Sequence, residues 1–409
     1  MKLLKVDTVE ETKKKIDQYF NDRVLEIEMV DIGEALGRVV GEDVYAQLDV
    51  PEFPRSTVDG YGIAAKDSFG ASESLPTFLQ MKGRVEMGEA AKLTVSSGYA
   101  VYVPTGGMLP QGADAMMMIE YVETLDQDTI AVYKAAAPGD GIIQKGEDIK
   151  KGEIIAEKGR RLRPQDIGVL AAAGVHQVRV FHKPKIFVIS TGDEIVDPRE
   201  EIKPGQIRDI NTYTLTTMAK EIGAEVVGQV VVRDDYDLLK KTVQEAVDKS
   251  HIAIISGGSS VGVKDVTAKV IDDLGEPGVF VHGVAVKPGK PTILGKVKDT
   301  ALFGLPGHPV SAMVIYKVFV DYYIRKLLCL PQEQELAVPA ICEVNIHSSP
   351  GKETYQLVQI EENNGEYKAK PIYGKSGAIS LMTKAHGYIK IHTNQEGIHK
   401  GEKVKVVLF

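Results

Sequence analysis

The chain has 409 residues, with 49 basic and 57 acidic side chains, a formal net charge of −8 and a charged share of 26%. The acidic balance argues against broad nucleic-acid binding, which requires a basic surface, and the ordinary charged share argues against a largely disordered chain. Two cysteines are too few for a disulfide framework, nine scattered histidines lack the usual spacing of a zinc site, and no apolar run reaches the roughly 20 residues of a membrane span. These features indicate a cytoplasmic protein. Its length predicts about two to four domains.

The first segment predicts a helix, and the chain then becomes rich in β-structure. Thr8 and Glu11 have the spacing of a capping box, in which two side chains satisfy main-chain groups at a helix start. Between about residues 45 and 145, short β-rich runs are separated by Gly, Pro and Asp turns, which is typical of a small all-β domain. A second helix is predicted from Pro164 to Ala173, and Gly174 is expected to end it.

From residue 184 onward, predicted strands alternate with predicted helices. The strands are expected at 185–190, 224–232, 251–256 and from 300. The helices are expected at 211–222, with Asn211 as a cap, and at 236–249, about 265–274 and 310–328. This alternation predicts a parallel sheet with helices on both faces, which binds ligands at the carboxyl ends of its strands. After Pro331 the chain is β-rich again.

A glycine-rich segment follows the strand predicted at 251–256. Residues 256–262 read Ser-Gly-Gly-Ser-Ser-Val-Gly, and a helix is expected after them. Main-chain N–H groups of such a loop can bind an anion, and the helix dipole adds positive potential. Three glycines exceed what a turn needs, which favours phosphate binding over a plain strand-to-helix turn. The candidate residues are Gly257, Gly258, Ser259 and Gly262.

Two lysines flank a Pro-Gly turn farther along the same domain. Lys287 and Lys290 enclose Pro288 and Gly289, so both ammonium groups can point into one concavity. This arrangement suits a phosphate or another oxyanion, and the alternative is a solvated surface turn.

Several carboxylates stand at the predicted strand ends, namely Asp193, Glu194, Asp234, Asp235 and Asp265. Carboxylates beside bound phosphates commonly share Mg²⁺, which takes only one or two protein ligands. Singly, each is more readily explained as a helix cap. Together, at the ends of strands in one sheet, they predict a site for a metal ion and a phosphate.

Four further loops contain candidate residues. Asp59 is expected at the tip of a Pro- and Gly-rich loop over 51–62, and Thr105 and Asp148 lie in similar loops. Ordinary β-turn chemistry explains each of these three loops when it is taken alone. His308 lies in a Pro- and Gly-rich loop that precedes the last predicted helix, where it is either a base or ligand or a plain loop histidine.

Eight motifs in this order resemble the MoeA-type molybdopterin molybdenumtransferase family, which is related to the C-terminal domain of gephyrin. They are STVDGYGI at 56–63, PTGG at 104–107, KGEDI at 145–149, ISTGDEIV at 189–196, RDD at 233–235, ISGGSSVGVKDVT at 255–267, VAVKPGKP at 284–291 and FGLPGHPVSAM at 303–313. The resemblance covers nearly the whole chain, and the order of the motifs makes it specific.

The resemblance implies a multidomain fold of α/β and β modules. The expected domains are a mixed α/β linker domain, 1–44 with 146–177, an inserted β-rich domain, 45–145, a parallel α/β domain similar to molybdopterin adenylyltransferases, 178–328, and a C-terminal β domain, 329–409. It also implies a homodimer in which the β-rich domain of one subunit faces the α/β domain of the other.

The implied reaction inserts molybdenum from molybdate into adenylated molybdopterin and releases AMP, with Mg²⁺ assisting. The residues that match the family's motif positions are Asp59, Thr105, Asp148, Glu194, Asp234, Asp265, Lys287, Lys290, Pro306, Pro309 and Ser376. Of these, Glu194, Asp234 and Asp265 are the expected metal ligands. The implied protein partners are a molybdopterin adenylyltransferase and the apo-molybdoenzymes that receive the cofactor, with neither nucleic acid nor membrane involved.

The sequence departs from the family at four positions. An arginine is common near Ile143 and at Lys352, an asparagine at His308, and a basic residue at Gln356. Each change removes or weakens a planar, bidentate contact to an oxyanion, which is compatible with a specialised paralogue.

Two other functions are compatible with parts of the sequence. A molybdopterin adenylyltransferase would not need the flanking β domains, and a non-enzymatic molybdopterin-binding scaffold or carrier would not need the retained carboxylates and lysines.

Overall fold

A computed structural model describes residues 6–257, 261–331, 336–363 and 365–409, with the backbone alone at 261–265. The chain divides into two compact units. The large unit comprises Met1–Glu28, Gly37–Gly41 and Phe181–Phe409, and the small unit comprises Met29–Leu36 and Glu42–Val180. In the described part of the chain, no helix combines the length and apolar character that crossing a bilayer requires.

The large unit begins with helix α1, Val9–Tyr19, whose start confirms the predicted capping box. The Thr8 N–H donates to Glu11 Oε2 over 2.8 Å, and the Glu11 N–H donates to Thr8 Oγ1 over 3.1 Å. Ile16 on this helix is fully buried in the core of the large unit.

The small unit is built from short strands, as predicted for residues 45–145. Strand β1, Ile27–Asp31, lies where the chain passes between the units. The strands that follow are β2 Val44–Tyr45, β3 Arg55–Ser56, β4 Gly60–Ile63, β5 Thr77–Arg84, β6 Tyr99–Val103, β7 Ala115–Met118, β8 Val122–Thr124, β9 Thr129–Val132, β10 Ile142–Ile143 and β11 Ile154–Ala156. Six of them form one sheet in the order β7-β4-β6-β5-β9-β8.

Helical segments complete the small unit. Helix α2, Pro164–Ala172, confirms the second predicted helix, and Gly174 after it has a φ of +79°, the left-handed conformation that ends helices. Short 3₁₀ helices lie at Ile32–Glu34, Ala65–Ser68 and Ile119–Tyr121.

The α/β part of the large unit has the predicted architecture. Its strands, after β12 Gln177–Phe181 at the unit boundary, are β13 Lys185–Thr191, β14 Ile195–Val196, β15 Ile207–Arg208, β16 Glu225–Val232, β17 Ile252–Gly257, β18 Pro277–His282, β19 Val286–Lys287, β20 Ile293–Val297 and β21 Thr300–Pro306. Its helices are α3 Asn211–Glu221, α4 Tyr236–Lys249, α5 Val261–Leu274, α6 Pro309–Ile315 and α7 Asp321–Leu327.

The main sheet of this part has six strands in the order β16-β13-β17-β21-β20-β18, of which the first four are parallel. Both of its faces are covered. Along β13, Ile186 and Val188 belong to one hydrophobic core, whereas Phe187 and Ile189 belong to another. Because alternate side chains of a strand point to opposite faces, a strand buried on both faces needs the continuous apolar run that the sequence shows.

Three helix predictions require correction. Asn211 is the first residue of α3 rather than its cap, because its side chain is turned inward to bond other loops. Helix α5 begins at Val261 rather than near residue 265, so Gly262 lies within the helix despite its low helix propensity. The long helix predicted over 310–328 is interrupted by a π-helical segment, Tyr316–Val320.

The C-terminal part of the large unit is a closed barrel. It contains β22 Ala337–Cys342, β23 Ile346–His347, β24 Glu353–Asn363, β25 Glu366–Pro371, α8 Ser380–Lys384, β26 Gly387–Ile391, β27 Gly397–Ile398 and β28 Lys403–Leu408. The strands close in the order β24-β25-β22-β28-β26, and β26 pairs back with β24. Strand β19 adds to β24 in parallel, with Lys287 opposite Thr354, which brings the lysine-containing turn to the barrel.

Candidate functional site

A cleft of about 640 Å³ lies in the large unit between the α/β part and the barrel. Residues 286–291, 306–308, 310 and 311 contribute its α/β side, and residues of the barrel contribute the other side. Of the residues selected from the sequence, Lys287, Lys290, Pro306 and Ser376 all line this cleft. The pairing of β19 with β24 is what brings these distant segments together.

The cleft is positively charged although the chain as a whole is acidic. Lys287, Lys290 and Lys352 line it, and no aspartate or glutamate does so among the described residues. Lys287 and Lys290 are exposed and Lys352 is half-buried. Three ammonium groups without an acidic neighbour in the lining are a charge arrangement that suits an anion.

The turn that presents Lys287 and Lys290 is rigidly held. Gly289 has a φ of +116°, and a Cβ atom added to it would lie 2.4 Å from side-chain atoms of Ile315. The Thr292 hydroxyl donates to the Gly289 carbonyl over 2.7 Å, and the Val284 N–H donates to the Lys290 carbonyl over 2.9 Å. The packing and these bonds fix the backbone from which both ammonium groups extend.

Three of the four departures from the family pattern lie in the lining of the cleft. His308, Lys352 and Gln356 all line it. His308 Nδ1 lies 2.9 Å from the hydroxyl oxygen of Ser376, and Gln356 Nε2 donates to the Ile372 carbonyl over 2.8 Å. The Gln356 amide therefore holds the adjoining loop, whereas His308 and Lys352 leave an imidazole and an ammonium in the cleft.

Sequence reasoning missed other lining residues, among them His347, Thr354 and Tyr373. They lie in strands and loops of the barrel, far along the chain from Lys287 and Lys290 and without a motif around them. No local sequence signal points to them, because only the closure of the barrel brings them to the cleft.

The glycine loop starts beside this cleft. Gly257 ends β17 and pairs with Pro306 on β21, and the Asn211 amide donates to both Ser256 Oγ and the Gly307 carbonyl, over 2.7 and 2.9 Å. Asn211 thus joins the two loops, a role that the capping prediction missed. Pro309 is buried at the start of α6 and Gly262 lies in α5, whereas Gly258 and Ser259 lie outside the described residues.

Three of the predicted carboxylates, Asp193, Glu194 and Asp234, lie just after the ends of β13 and β16, whereas the Asp235 carboxylate caps α4. The Asp234 N–H donates to Asp193 Oδ1 over 3.3 Å, and Glu194 Oε2 lies 2.8 Å from where a Cβ on Gly192 would be. Asp234 is exposed as a residue, yet partial desolvation of its carboxyl raises its pKa. The charges of Asp193 and Glu194 raise this pKa further, and the nearby Thr191 hydroxyl lowers it.

The charges of Asp193 and Glu194 both act on Asp234, and a divalent cation bound there would relieve this repulsion. Among the described side chains, no three histidine, cysteine, aspartate or glutamate residues stand close enough to hold a metal ion together. The side chain of Asp265 lies outside the described residues. Two carboxylates, Glu194 and Asp234, are within the number of protein ligands that Mg²⁺ usually takes.

The carboxylates, the described start of the glycine loop at Gly257 and the cleft lie along one edge of the sheet. Strands β16, β13, β17 and β21 are parallel neighbours, so their carboxyl ends share that edge. From β16 to β21 the edge spans roughly 14 Å at the usual strand spacing. An extended ligand can therefore contact all three features.

The three residues selected from the β-rich segment lie in the small unit. Asp59 Oδ1 accepts a hydrogen bond from the Thr105 N–H over 2.8 Å, so the structure brings these two exposed residues into contact. The exposed Asp148 donates its N–H to the Val50 carbonyl over 3.0 Å, which anchors its loop to the start of the Asp59 loop.

The fourth departure from the family pattern, Ile143, also lies in the small unit. It stands opposite Arg55 in the antiparallel pair β10–β3. Because opposite residues of such a pair point to the same face, Arg55 supplies a guanidinium beside the position where the family commonly has one.

Three protein-family models match successive parts of the chain. The MoeA N-terminal region (domains I and II) matches residues 7–174, a molybdopterin-binding domain of molybdenum cofactor biosynthesis matches 187–326, and the MoeA C-terminal region (domain IV) matches 339–409.

Individual relatives match almost end to end. A protein of Methanocaldococcus jannaschii, provisionally named for molybdopterin biosynthesis, is 34% identical over 97% of this chain and 95% of its own. A molybdopterin molybdenumtransferase of Haemophilus influenzae is 31% identical over 93% of this chain and 94% of its own. The crystal structure of a MoeA protein of molybdopterin biosynthesis from Pyrococcus horikoshii shares 40% identity, covers 99% of both chains and has a TM-score of 0.84.

Proposed function

The chain belongs to the MoeA family, and from this premise we propose that it transfers molybdenum from molybdate to adenylated molybdopterin and releases AMP. The observation that carries the proposal is the cleft in which Lys287, Lys290 and Lys352 meet without a carboxylate in the described lining. Molybdate is a tetrahedral dianion, and compact ammonium groups suit it because they approach it from several directions.

The cleft supplies further hydrogen-bond donors for molybdate. The Ser376 hydroxyl oxygen and His308 Nδ1 lie 2.9 Å apart, in the same lining as the lysine-containing turn. Held between these groups, the oxyanion would be positioned for the dithiolene sulfurs of the pterin substrate.

The adenylated end of the substrate is proposed to lie along the strand edge toward the carboxylates. Main-chain N–H groups of the glycine loop, at Gly257, Gly258, Ser259 and Gly262, would hold its phosphates. Hydrolysis would break the P–O–P bond between AMP and the pterin phosphate, with water donating its oxygen to phosphorus and a carboxylate, Glu194 or Asp59, accepting its proton.

Mg²⁺ is proposed at Glu194, Asp234 and Asp265, where it would neutralise charge on the phosphates. We expect Mg²⁺ at 100 times its Kd to stabilise the wild-type protein against unfolding by about 2.7 kcal/mol and the Asp234→Asn variant by much less. Without Mg²⁺, Asp234→Asn should unfold at the same temperature as the wild type or higher, because it removes a crowded, partly desolvated carboxylate.

The effect of Asp234 on folding stability should depend on pH in a defined direction. The pKa of Asp234 is raised on folding from 3.8, so at neutral pH the charged carboxylate destabilises the folded state, and protonation at low pH removes that penalty. Thermal scans with and without Mg²⁺, at neutral and at low pH, measure the Mg²⁺ shift and the effect of protonation. Asp237→Asn, which replaces an exposed aspartate in the first turn of α4, is the control. An equal Mg²⁺ shift in wild type and Asp234→Asn would remove Asp234 from the metal site.

We further propose a homodimer in which Asp59, Thr105 and Asp148 of one subunit complete the site of the other. Large apolar side chains of the small unit, Phe69, Leu75 and Phe78, are 60–69% exposed, which is the kind of surface a second subunit covers.

Mixing two variants tests this arrangement when activity is measured at a molybdate concentration too low for turnover by Lys290→Ala. In a heterodimer of Asp59→Ala and Lys290→Ala subunits, one composite site retains both wild-type residues. Equal mixing after exchange of subunits should therefore restore about a quarter of wild-type activity. No recovery in a mixture in which heterodimers have been detected would contradict sites shared between subunits.

An assay with adenylated molybdopterin, molybdate and Mg²⁺, in which AMP release is measured, tests the proposed reaction. Binding of the pterin without AMP release would favour a scaffold instead. The proposal places the protein in the cytoplasm, with which the free thiols of Cys329 and Cys342 are consistent. There a molybdopterin adenylyltransferase would supply the substrate, and apo-molybdoenzymes would receive the product.

A further inference from the structure

We propose that Tyr373 is the surface on which the flat ring system of the organic substrate stacks, so that one cleft binds both the ring and molybdate. The identity of this ring, a pterin, rests on the proposed function. Its place rests on the exposure, the anchoring and the surroundings of Tyr373.

Tyr373 is open to solvent although it lines a cleft. Its side chain is 61% exposed, and it belongs to the same lining as Lys287, Lys290 and Lys352. An aromatic ring that borders a cationic cleft offers a π-face to a planar ligand, and stacking on such faces is a common way to bind heteroaromatic rings.

The tyrosine is held in place on three sides. Gln356 Nε2 donates to the carbonyl of Ile372 over 2.8 Å, and the Tyr373 hydroxyl donates to the Asn345 carbonyl over 3.3 Å. On the other side, Gly374 packs so closely on Leu381 that an added Cβ would lie 2.7 Å from it. A ring held in this way loses little conformational freedom when a ligand binds, which favours a preorganised contact.

The size of the cleft also points to more than an oxyanion. Its volume of about 640 Å³ is far larger than a tetrahedral oxyanion requires. Clefts of about 300–1,000 Å³ hold whole small organic molecules. A pterin stacked on Tyr373, with its anionic groups toward the lysines, would use the aromatic and the cationic features of the cleft at once.

Binding of pterin-6-carboxylate, a fluorescent anionic pterin, tests the proposal on the full-length protein. Because the chain contains no tryptophan, the emission of the pterin is read with little protein background. We expect Tyr373→Leu, which keeps apolar volume but removes the ring face, to weaken binding about 5- to 150-fold. Tyr373→Phe keeps the ring and should change binding less than about threefold.

Tyr367→Leu is the matched control, since Tyr367 is a 44% exposed tyrosine on strand β25 of the same barrel and does not line the cleft. In the AMP-release assay, Tyr373→Leu should raise the KM for the adenylated pterin while the half-saturating molybdate concentration stays within about twofold of wild type. Equal pterin binding by wild type and Tyr373→Leu overturns this inference alone. Failure of the wild-type protein to release AMP in that assay overturns the proposed function instead.

Discussion

Replacing Lys290 by alanine is expected to raise the molybdate concentration for half-maximal AMP release about 10- to 150-fold. This range corresponds to the loss of one hydrogen bond to a charged group, which contributes roughly 1.5–3 kcal/mol to binding. The side chain lines a cleft without a described carboxylate, so its positive charge is available to an oxyanion. We expect a smaller effect on binding of the adenylated pterin, which has other contacts along the strand edge.

Two further variants separate charge from geometry at this position. Lys290→Arg should rescue poorly, because a planar guanidinium does not replace a compact ammonium on a tightly packed turn. Lys370→Ala, which removes an exposed lysine of β25 that does not line the cleft, is the control and should leave the molybdate response unchanged. If alanine at both Lys287 and Lys290 leaves the half-saturating molybdate concentration within about twofold of wild type, the two lysines do not bind molybdate and the turn has only a structural role.

Replacing Gly289 by alanine is expected to destabilise the large unit by about 2–5 kcal/mol. The backbone has a φ of +116°, which a residue with a Cβ adopts at a cost, and the new methyl group would lie 2.4 Å from the fully buried Ile315. Denaturant unfolding measures the loss. Molybdate binding should fall as well, because relief of the clash displaces the backbone that holds both lysines.

Gly401→Ala is the control for the conformational part of this cost. Gly401 has a φ of +85° with no atom within 4 Å of an added Cβ, so its replacement should cost only about 1–2 kcal/mol. If Gly289→Ala is no more harmful than Gly401→Ala, the contact with Ile315 does not position the turn.

The sequence by itself determined the features that depend on neighbours along the chain. Helix α4 lies at Tyr236–Lys249 as its apolar period predicts, and the capping box of Thr8 and Glu11 forms as expected. The continuous apolar run of β13 indicated a strand buried on both faces, and the order of the glycine, lysine and carboxylate motifs indicated the family. Each of these signals is local, because hydrogen bonding and side-chain period fix a helix or a strand within a few residues.

Only the tertiary structure decided how distant segments meet. The sequence offers no reason for Asn211 to bond Ser256 and Gly307 instead of capping its helix, since those loops reach it only when β17 and β21 pair. The same holds for Tyr373, which becomes part of the cleft when the barrel closes and β24 takes up β19. These contacts join residues far apart in the chain, and they form only because burial of the sheet and barrel cores compensates for the entropy of bringing such segments together.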